Sequence, residues 1–272
     1  MSSPLLTMND GRTIPQVGLG VYKIADDEAA AAVSHALDVG YRHIDTAALY
    51  RNERGVGRGI RESGVPREDV FVTTKVWNDD HGFDATLRAF DTSLGLLGLD
   101  HVDLYLIHWP VPSKDLYVDT WRALERLHEE GRARSIGVSN FTESHLSRLI
   151  GESGTKPVLN QVELHPWLQQ SDLREFGREM DILTEAWSPL ARGRVLDSAA
   201  LAPIAAKHGR TAAQIVIRWH VQLGNVVIPK SVTPARIEEN FDVFDFALDA
   251  DDLRAISAFD SGDRTGRHPD ED

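Results

Sequence analysis

The stretch His43-Ile44-Asp45-Thr46-Ala47-Ala48-Leu49-Tyr50 decides how the rest of the chain is read. A β-prone run ends on an acid, and a phenol follows five residues later in what reads as a loop. Three later stretches share this form. Val72-Thr73-Thr74-Lys75, Leu104-Tyr105-Leu106-Ile107-His108 and Val227-Ile228-Pro229-Lys230 each end on a titratable residue. If these runs are neighbouring parallel strands, their ends form one cluster, so the order of strands has to be settled first.

Working outward, residues 5–15 read as a small hairpin that turns at Asn9-Asp10-Gly11. Val17–Val21 is the first strand of an alternating series, and Asp26-Asp27-Glu28 opens an alanine-rich helix that Gly40 can end. His43–Ala47 is the second strand, followed by a helix over Glu53–Ser63. Val70–Val76 is the third, and the helix after it puts Leu87, Phe90, Leu94 and Leu97 on one face. Val102–His108 is the fourth, with Trp121, Leu124 and Leu127 along one side of its helix and Gly131 as the stop. Ser135–Asn140, Val158–Leu164, Asp181–Ser188 and Asn225–Lys230 complete the eight, and residues 211–223, 233–241 and 249–259 read as helices.

Strand starts recur every ~25–30 residues, as a (β/α)8 TIM barrel of ~250 residues requires. The expectation is one α/β barrel domain over residues 1–272, with a short N-terminal β-hairpin and a polar tail, 261–272, held as a loose or flexible flap. The competing arrangement is a doubly wound open sheet. It would carry Gly-x-Gly-x-x-Gly after the first strand, but Gly18-Leu19-Gly20 is followed by Val21-Tyr22-Lys23. Gly55-Val56-Gly57-Arg58-Gly59 has another spacing, follows the second strand and reads as helix packing.

The composition suits a globular protein with a sizeable core: 272 residues, 42% hydrophobic and 26% charged. Asp+Glu 42 against Lys+Arg 29 leaves a net charge of −13, which repels nucleic acid and anionic membranes. Without cysteine there is no disulfide, thiolate nucleophile or cysteine metal site. Met1-Ser2-Ser3-Pro4-Leu5-Leu6 lacks the pattern of a signal peptide, and no apolar run suits a membrane span, so a cytoplasmic protein is expected. Asn140-Phe141-Thr142 then matches a glycosylation sequon only by coincidence.

In a parallel barrel the working groups sit at the C-terminal ends of the strands. Asp45, Lys75 and His108 hold those places on strands two, three and four, and Tyr50 lies in the loop after strand two. Taken singly, an aspartate before a loop is usually a cap and a strand-end lysine is usually solvated. On three successive strand ends the four can converge. Such a set suits proton delivery to a carbonyl that accepts a hydride. A free phenol, at pKa ~10, holds its proton too tightly, and a neighbouring ammonium would lower that value. Asp45 would position Lys75, and His108 would orient the carbonyl oxygen or relay a proton.

Gly40-Tyr41-Arg42-His43-Ile44-Asp45-Thr46-Ala47, Leu104-Tyr105-Leu106-Ile107-His108-Trp109-Pro110, Gly137-Val138-Ser139-Asn140-Phe141 and Ile228-Pro229-Lys230-Ser231 resemble the signatures of the aldo-keto reductase family. The resemblance runs in order from about residue 5 to 260. Within the family the chain is most similar to short bacterial members of the 2,5-diketo-D-gluconate reductase type. The resemblance implies a monomeric oxidoreductase that reduces aldehydes and ketones with NADPH and no bound metal. Small dicarbonyl or sugar-derived substrates are expected, with Asp45, Tyr50, Lys75 and His108 as catalytic tetrad and Tyr50 as general acid.

The same resemblance implies the cofactor contacts. Ser139, Asn140 and Gln161 would bind the nicotinamide carboxamide, and Trp187 would stack on the ring, where many relatives carry tyrosine. Ser188, Leu190 and either Arg192 or Arg194 would lie along the pyrophosphate. Lys230, Ser231, Val232, Thr233 and Arg236 would hold the adenosine 2′-phosphate, where a forked arginine and a helix N-terminus favour a dianion. Glu239 and Asn240 would contact adenine. Tyr22, Trp77, Trp109 and Trp187 would wall the substrate pocket, with the tail folded over it. The loop Val111–Leu116 is short beside larger eukaryotic relatives, which implies an open pocket.

Two rival readings remain. Glu163, His165 and His108 could hold a divalent metal in a barrel hydrolase. Alternatively, a nicotinamide-nucleotide-binding barrel could serve as a sensor or regulatory subunit with little turnover.

Overall fold

The computed structural model describes residues 3–271. Met1, Ser2 and Asp272, the ends of the expected domain and tail, lie outside the described residues. The chain opens with an antiparallel hairpin, β1 (Leu5–Thr7) and β2 (Thr13–Pro15). An alternation follows: β3 (Leu19–Gly20), α1 (Asp26–Val39), β4 (His43–Asp45), α2 (Glu53–Glu62), β5 (Phe71–Val76), α3 (Phe83–Leu97), β6 (Val102–Ile107) and α4 (Tyr117–Glu129). It continues with β7 (Ala133–Ser139), α5 (Glu143–Ser153), β8 (Leu159–Glu163), α6 (Ser171–Glu179), β9 (Leu183–Trp187), α7 (Ala202–His208), α8 (Ala212–Gln222), β10 (Val226–Val227), α9 (Pro234–Phe241) and α10 (Ala250–Ser257).

Strands β3 to β10 form one parallel sheet in sequence order. Its two edges meet through bridges from Val17 to Val227 and from Gly20 to Lys230, so the sheet curls into a (β/α)8 barrel. The first and last strands are shorter than expected. Pro229 has no N–H to extend the ladder, so regular pairing of β10 stops at Val227. Gly20 passes so close to the last strand that a Cβ on it would lie 2.9 Å from the carbonyl oxygen of Ile228.

Period-two alternation sorts the strand residues between two cores. On β6, Tyr105 and Ile107 face the helices, where they join Phe90 and Leu97 of α3 and Trp121 and Leu124 of α4. Leu104 and Leu106 face inward and pack with Met8 and Ile14 of the hairpin and with Val158, Leu159 and Val226 at strand starts. The hairpin therefore plugs the N-terminal end of the barrel, which leaves the C-terminal end for chemistry. On α3, Phe90, Leu94 and Leu97 are buried and Leu87 is half-buried. No helix among the described residues is long and apolar enough to cross a membrane.

The glycine run in α2 is a packing surface. A Cβ on Gly55 would fall 2.0 Å from the carbonyl oxygen of Asp26, and one on Gly57 would fall 1.9 Å from that of Leu97. Only hydrogen at these positions lets α2 lie against α1 and the end of α3. Replacing Gly57 with alanine is expected to lower unfolding free energy by about 1–3 kcal/mol through overpacking. The urea midpoint measures this, and an unchanged midpoint would contradict the close approach.

Candidate active site

Neighbouring parallel strands bring the four expected side chains together. Asp45 ends β4 and pairs in register with Thr73 of β5, two residues before Lys75. The Lys75 ammonium donates to Asp45 Oδ1 at 2.6 Å and to the carbonyl oxygen of Thr46 at 2.8 Å. Both charged side chains are buried. A single 3-10 turn, Ala48–Tyr50, returns the half-buried Tyr50 ring over this pair. Its centroid lies 5.2 Å from Lys75 Nζ, 5.0 Å from the Tyr22 ring and 5.7 Å from the His108 ring. All but Lys75 line a cavity of about 500 Å³ at the C-terminal mouth of the barrel.

The electrostatics correct one expectation. The phenol of Tyr50 is raised well above its ordinary value, not lowered, by burial first and then by Asp45, Tyr22 and Glu185. Asp45 sits against the lysine, so the phenol meets a compensated pair and not a bare cation. Tyr50 thus keeps its proton through the neutral range. Burial also pushes the Asp45 carboxyl up, while Lys75 and Gln161 pull it back. His108 is held well below the ordinary imidazole value by burial, then by Lys75 and His81, so it is neutral at pH 7.

Beside this group lies a second, purely polar one. Ser139 ends β7 and donates from its hydroxyl to the carbonyl oxygen of Gln161 at 2.8 Å. Asn140 follows with φ of 63°, a left-handed conformation that asparagine tolerates. Its amide nitrogen donates to the carbonyl oxygen of His108 at 2.9 Å, and its oxygen accepts from Trp187 Nε1 at 2.9 Å. Gln161 Nε2 donates to Asp45 Oδ2 and to Glu185 Oε2, both at 2.8 Å. Ser139, Asn140, Gln161 and Trp187 all line the same cavity as Tyr50. Glu185 was missed in the sequence, although an acid in a barrel strand two residues before Trp187 is a visible signal.

A second cavity of about 450 Å³ continues from the first and shares Tyr22, Ser188, Arg192 and Lys230 with it. Leu190, Ser231, Val232 and Thr233 line it, as do Arg236, Glu239 and Asn240 from α9. Among the described residues, no carboxylate lies within ion-pair distance of Lys230 or Arg236. Two uncompensated cations in a chain of charge −13 make this end a site for an anion. The two arginines left open are separated by the structure. Arg192 lines both cavities, whereas Arg194 pairs with Asp263 at 3.2 Å and covers the Trp167 ring at 4.3 Å.

Trp77 and Trp109 wall the other side, and Trp77 meets His108 edge-on at 5.1 Å. Tail residues Thr265, Gly266, Arg267 and Glu271 complete the rim. Glu163 clasps that tail: it accepts from the Thr265 amide at 2.6 Å, the Thr265 hydroxyl at 2.5 Å and the Gly266 amide at 3.0 Å. His145 pairs with Asp270 at 3.4 Å, and Pro269 is buried. Burial works against the Glu163 charge, but hydrogen bonds from His165, Thr265 and Gly266 win and hold it down at about 2. Its oxygens are therefore committed to the tail and to His165 at 3.2 Å, which leaves the hydrolase reading without its carboxylate ligand. No group of three or more potential metal ligands stands together among the described residues.

Residues 16–261 match the Aldo/keto reductase family. The chain is 56% identical over 267 residues to an aldo-keto reductase of Mycolicibacterium smegmatis, covering 98% of this chain and 97% of that protein. It is 51% identical to methylglyoxal reductase DkgA of Escherichia coli, over 100% of this chain and 99% of that one. Among solved structures, a variant of Gox0644 in complex with NADPH superposes with a TM-score of 0.96 at 50% identity, covering 99% of this chain and 98% of that one. An aldo/keto reductase from Brucella melitensis superposes with a TM-score of 0.92 at 60% identity, over 95% of this chain and 100% of that one.

Proposed function

The chain belongs to the aldo/keto reductase family, and from that premise we propose that it reduces small dicarbonyl and sugar-derived carbonyl compounds to alcohols. It is an NADPH-dependent oxidoreductase. The observation that carries the reading is the buried Asp45–Lys75 pair under Tyr50, at the end of a groove whose far end is lined by Lys230 and Arg236, without carboxylate partners among the described residues. A relative named for methylglyoxal reduction supports a dicarbonyl substrate, and 2,5-diketo-D-gluconate belongs to the same chemical class.

When bound, NADPH supplies the hydride. The chain's own residues do the rest. Arg236 and Lys230 would hold the 2′-phosphate with Ser231, Val232 and Thr233, and Glu239 and Asn240 would hold adenine. Ser188, Leu190 and Arg192 follow the pyrophosphate. Ser139, Asn140 and Gln161 would take the carboxamide, and Trp187 would lie against the ring. Neutral His108 donates one hydrogen bond to the substrate carbonyl and sets its direction. Tyr50 gives its proton to the oxygen as negative charge builds, because an alkoxide is a far stronger base than a phenolate. Lys75, fixed by Asp45, stabilises the phenolate that remains. Tyr22, Trp77 and Trp109 exclude water, and tail residues Thr265, Gly266, Arg267 and Glu271, anchored through Glu163, close the rim beside them. We take the enzyme to be a monomer of the cytoplasm whose charge keeps it from nucleic acid and membranes.

Two substitutions test these roles. Tyr50→Phe should retain NADPH binding and lose about 10²–10⁴-fold in turnover, the usual worth of a positioned proton donor. Near-native turnover would refute the assignment. Arg236→Ala should weaken NADPH about tenfold or more by titration, as expected for a lost bond to a charged group, while NADH binding stays within about twofold. Equal weakening of both would show that Arg236 does not read the 2′-phosphate.

A further inference from the structure

Glu185 is fully buried on β9, inside the barrel, and no step above uses it. It stands in register beside Gln161 of β8. An amide nitrogen has two hydrogens, and on Gln161 both are taken: one by Asp45 Oδ2 and one by Glu185 Oε2, each at 2.8 Å. The opposite orientation would set the amide oxygen against the Asp45 carboxylate, whose other oxygen accepts from Lys75. With the nitrogen held from two sides, Gln161 Oε1 is the atom left for the cavity that Gln161 lines.

We propose that Glu185 is a positioning residue for the nicotinamide: it locks Gln161 so that the amide carbonyl, and not the amide N–H, is presented to the carboxamide of the cofactor. A carboxamide offers one acceptor and two hydrogens, so its amino group meets an acceptor at Gln161 only in this orientation. Glu185 therefore sets affinity for the nicotinamide half without touching it. The groups that face Glu185 agree with a neutral acid as the acceptor. His43 Nε2 is 3.8 Å from Glu185 Oε1 and is held by Thr73 Oγ1 at 3.1 Å. Burial brings His43 down to about 3, so no imidazolium compensates a charge on Glu185. Lys75 already serves Asp45, and burial followed by Asp45 pushes Glu185 up to about 8. A neutral Glu185 is isosteric with glutamine, whose oxygen accepts equally well from Gln161.

The inference rests on the NADPH-dependent reading, and its test separates the two. NADPH binding is followed by quenching of tryptophan fluorescence, and 2′,5′-ADP, which lacks the nicotinamide, by displacement. Glu185→Gln should bind NADPH within about threefold of the unmodified protein. Glu185→Leu and Glu185→Thr remove the acceptor and should weaken NADPH about tenfold or more, the worth of one misplaced buried hydrogen bond. Both should keep 2′,5′-ADP within about threefold. Unchanged NADPH affinity in the folded Leu or Thr variant would overturn the proposal, as would equal loss of NADPH and 2′,5′-ADP. If neither variant folds, Glu185→Gln decides: retained affinity supports the neutral acceptor, and selective loss of NADPH overturns it. Failure of the unmodified protein to bind NADPH would instead refute the function proposed above.

Discussion

Everything at the mouth of the barrel depends on one buried ion pair, Lys75 with Asp45. Removing two charges from water costs several kcal/mol per ion, and the cost is met only when the remaining donors and acceptors are also satisfied. Here they are. The ammonium spends a second hydrogen on the carbonyl oxygen of Thr46, and the free carboxylate oxygen takes Gln161. The pair thus ties β4 and β5 to β8 across the barrel interior. The same pair leaves the lysine facing the Tyr50 ring, so Tyr50 and the Gln161 amide both stand against one interaction.

Two chains of contacts organise the mouth of the barrel around this pair. One passes from Gln161 to Ser139 and Asn140, and from Asn140 to the backbone of His108 and the indole of Trp187. These bonds tie the backbone of His108 and the indole of Trp187 to the one Asn140 amide. The other passes through Glu163 to the C-terminal tail. Gly266 lies so near that a Cβ there would fall 2.5 Å from Trp187 Cη2. Because the hairpin fills the opposite end of the barrel, these contacts converge on one open face.

Much of this was legible in the sequence because strand order and strand-end chemistry are local properties. Asp45, Lys75 and His108 each close an apolar run, and parallel neighbours must bring such ends together. The glycine spacing in α2 likewise marks a packing surface. What depends on distant partners was not legible. The acidity of Tyr50 turns on burial and on three neighbours besides Lys75, so its direction came out reversed. Arg192 and Arg194 are indistinguishable until Asp263 claims the second. Glu163 resembled a metal ligand because its partners, Thr265 and Gly266, are a hundred residues away. Glu185 stands two residues before Trp187, a visible signal, but its partner Gln161 comes from another strand.

The most direct measurement is a crystal structure of the complex with NADP⁺ and an unreactive dicarbonyl analogue. The account requires the analogue's carbonyl oxygen to be hydrogen-bonded to Tyr50 and His108, with the carboxamide on Ser139, Asn140 and Gln161. A carbonyl oxygen bound away from Tyr50, or a nicotinamide ring placed outside that cradle, would contradict it.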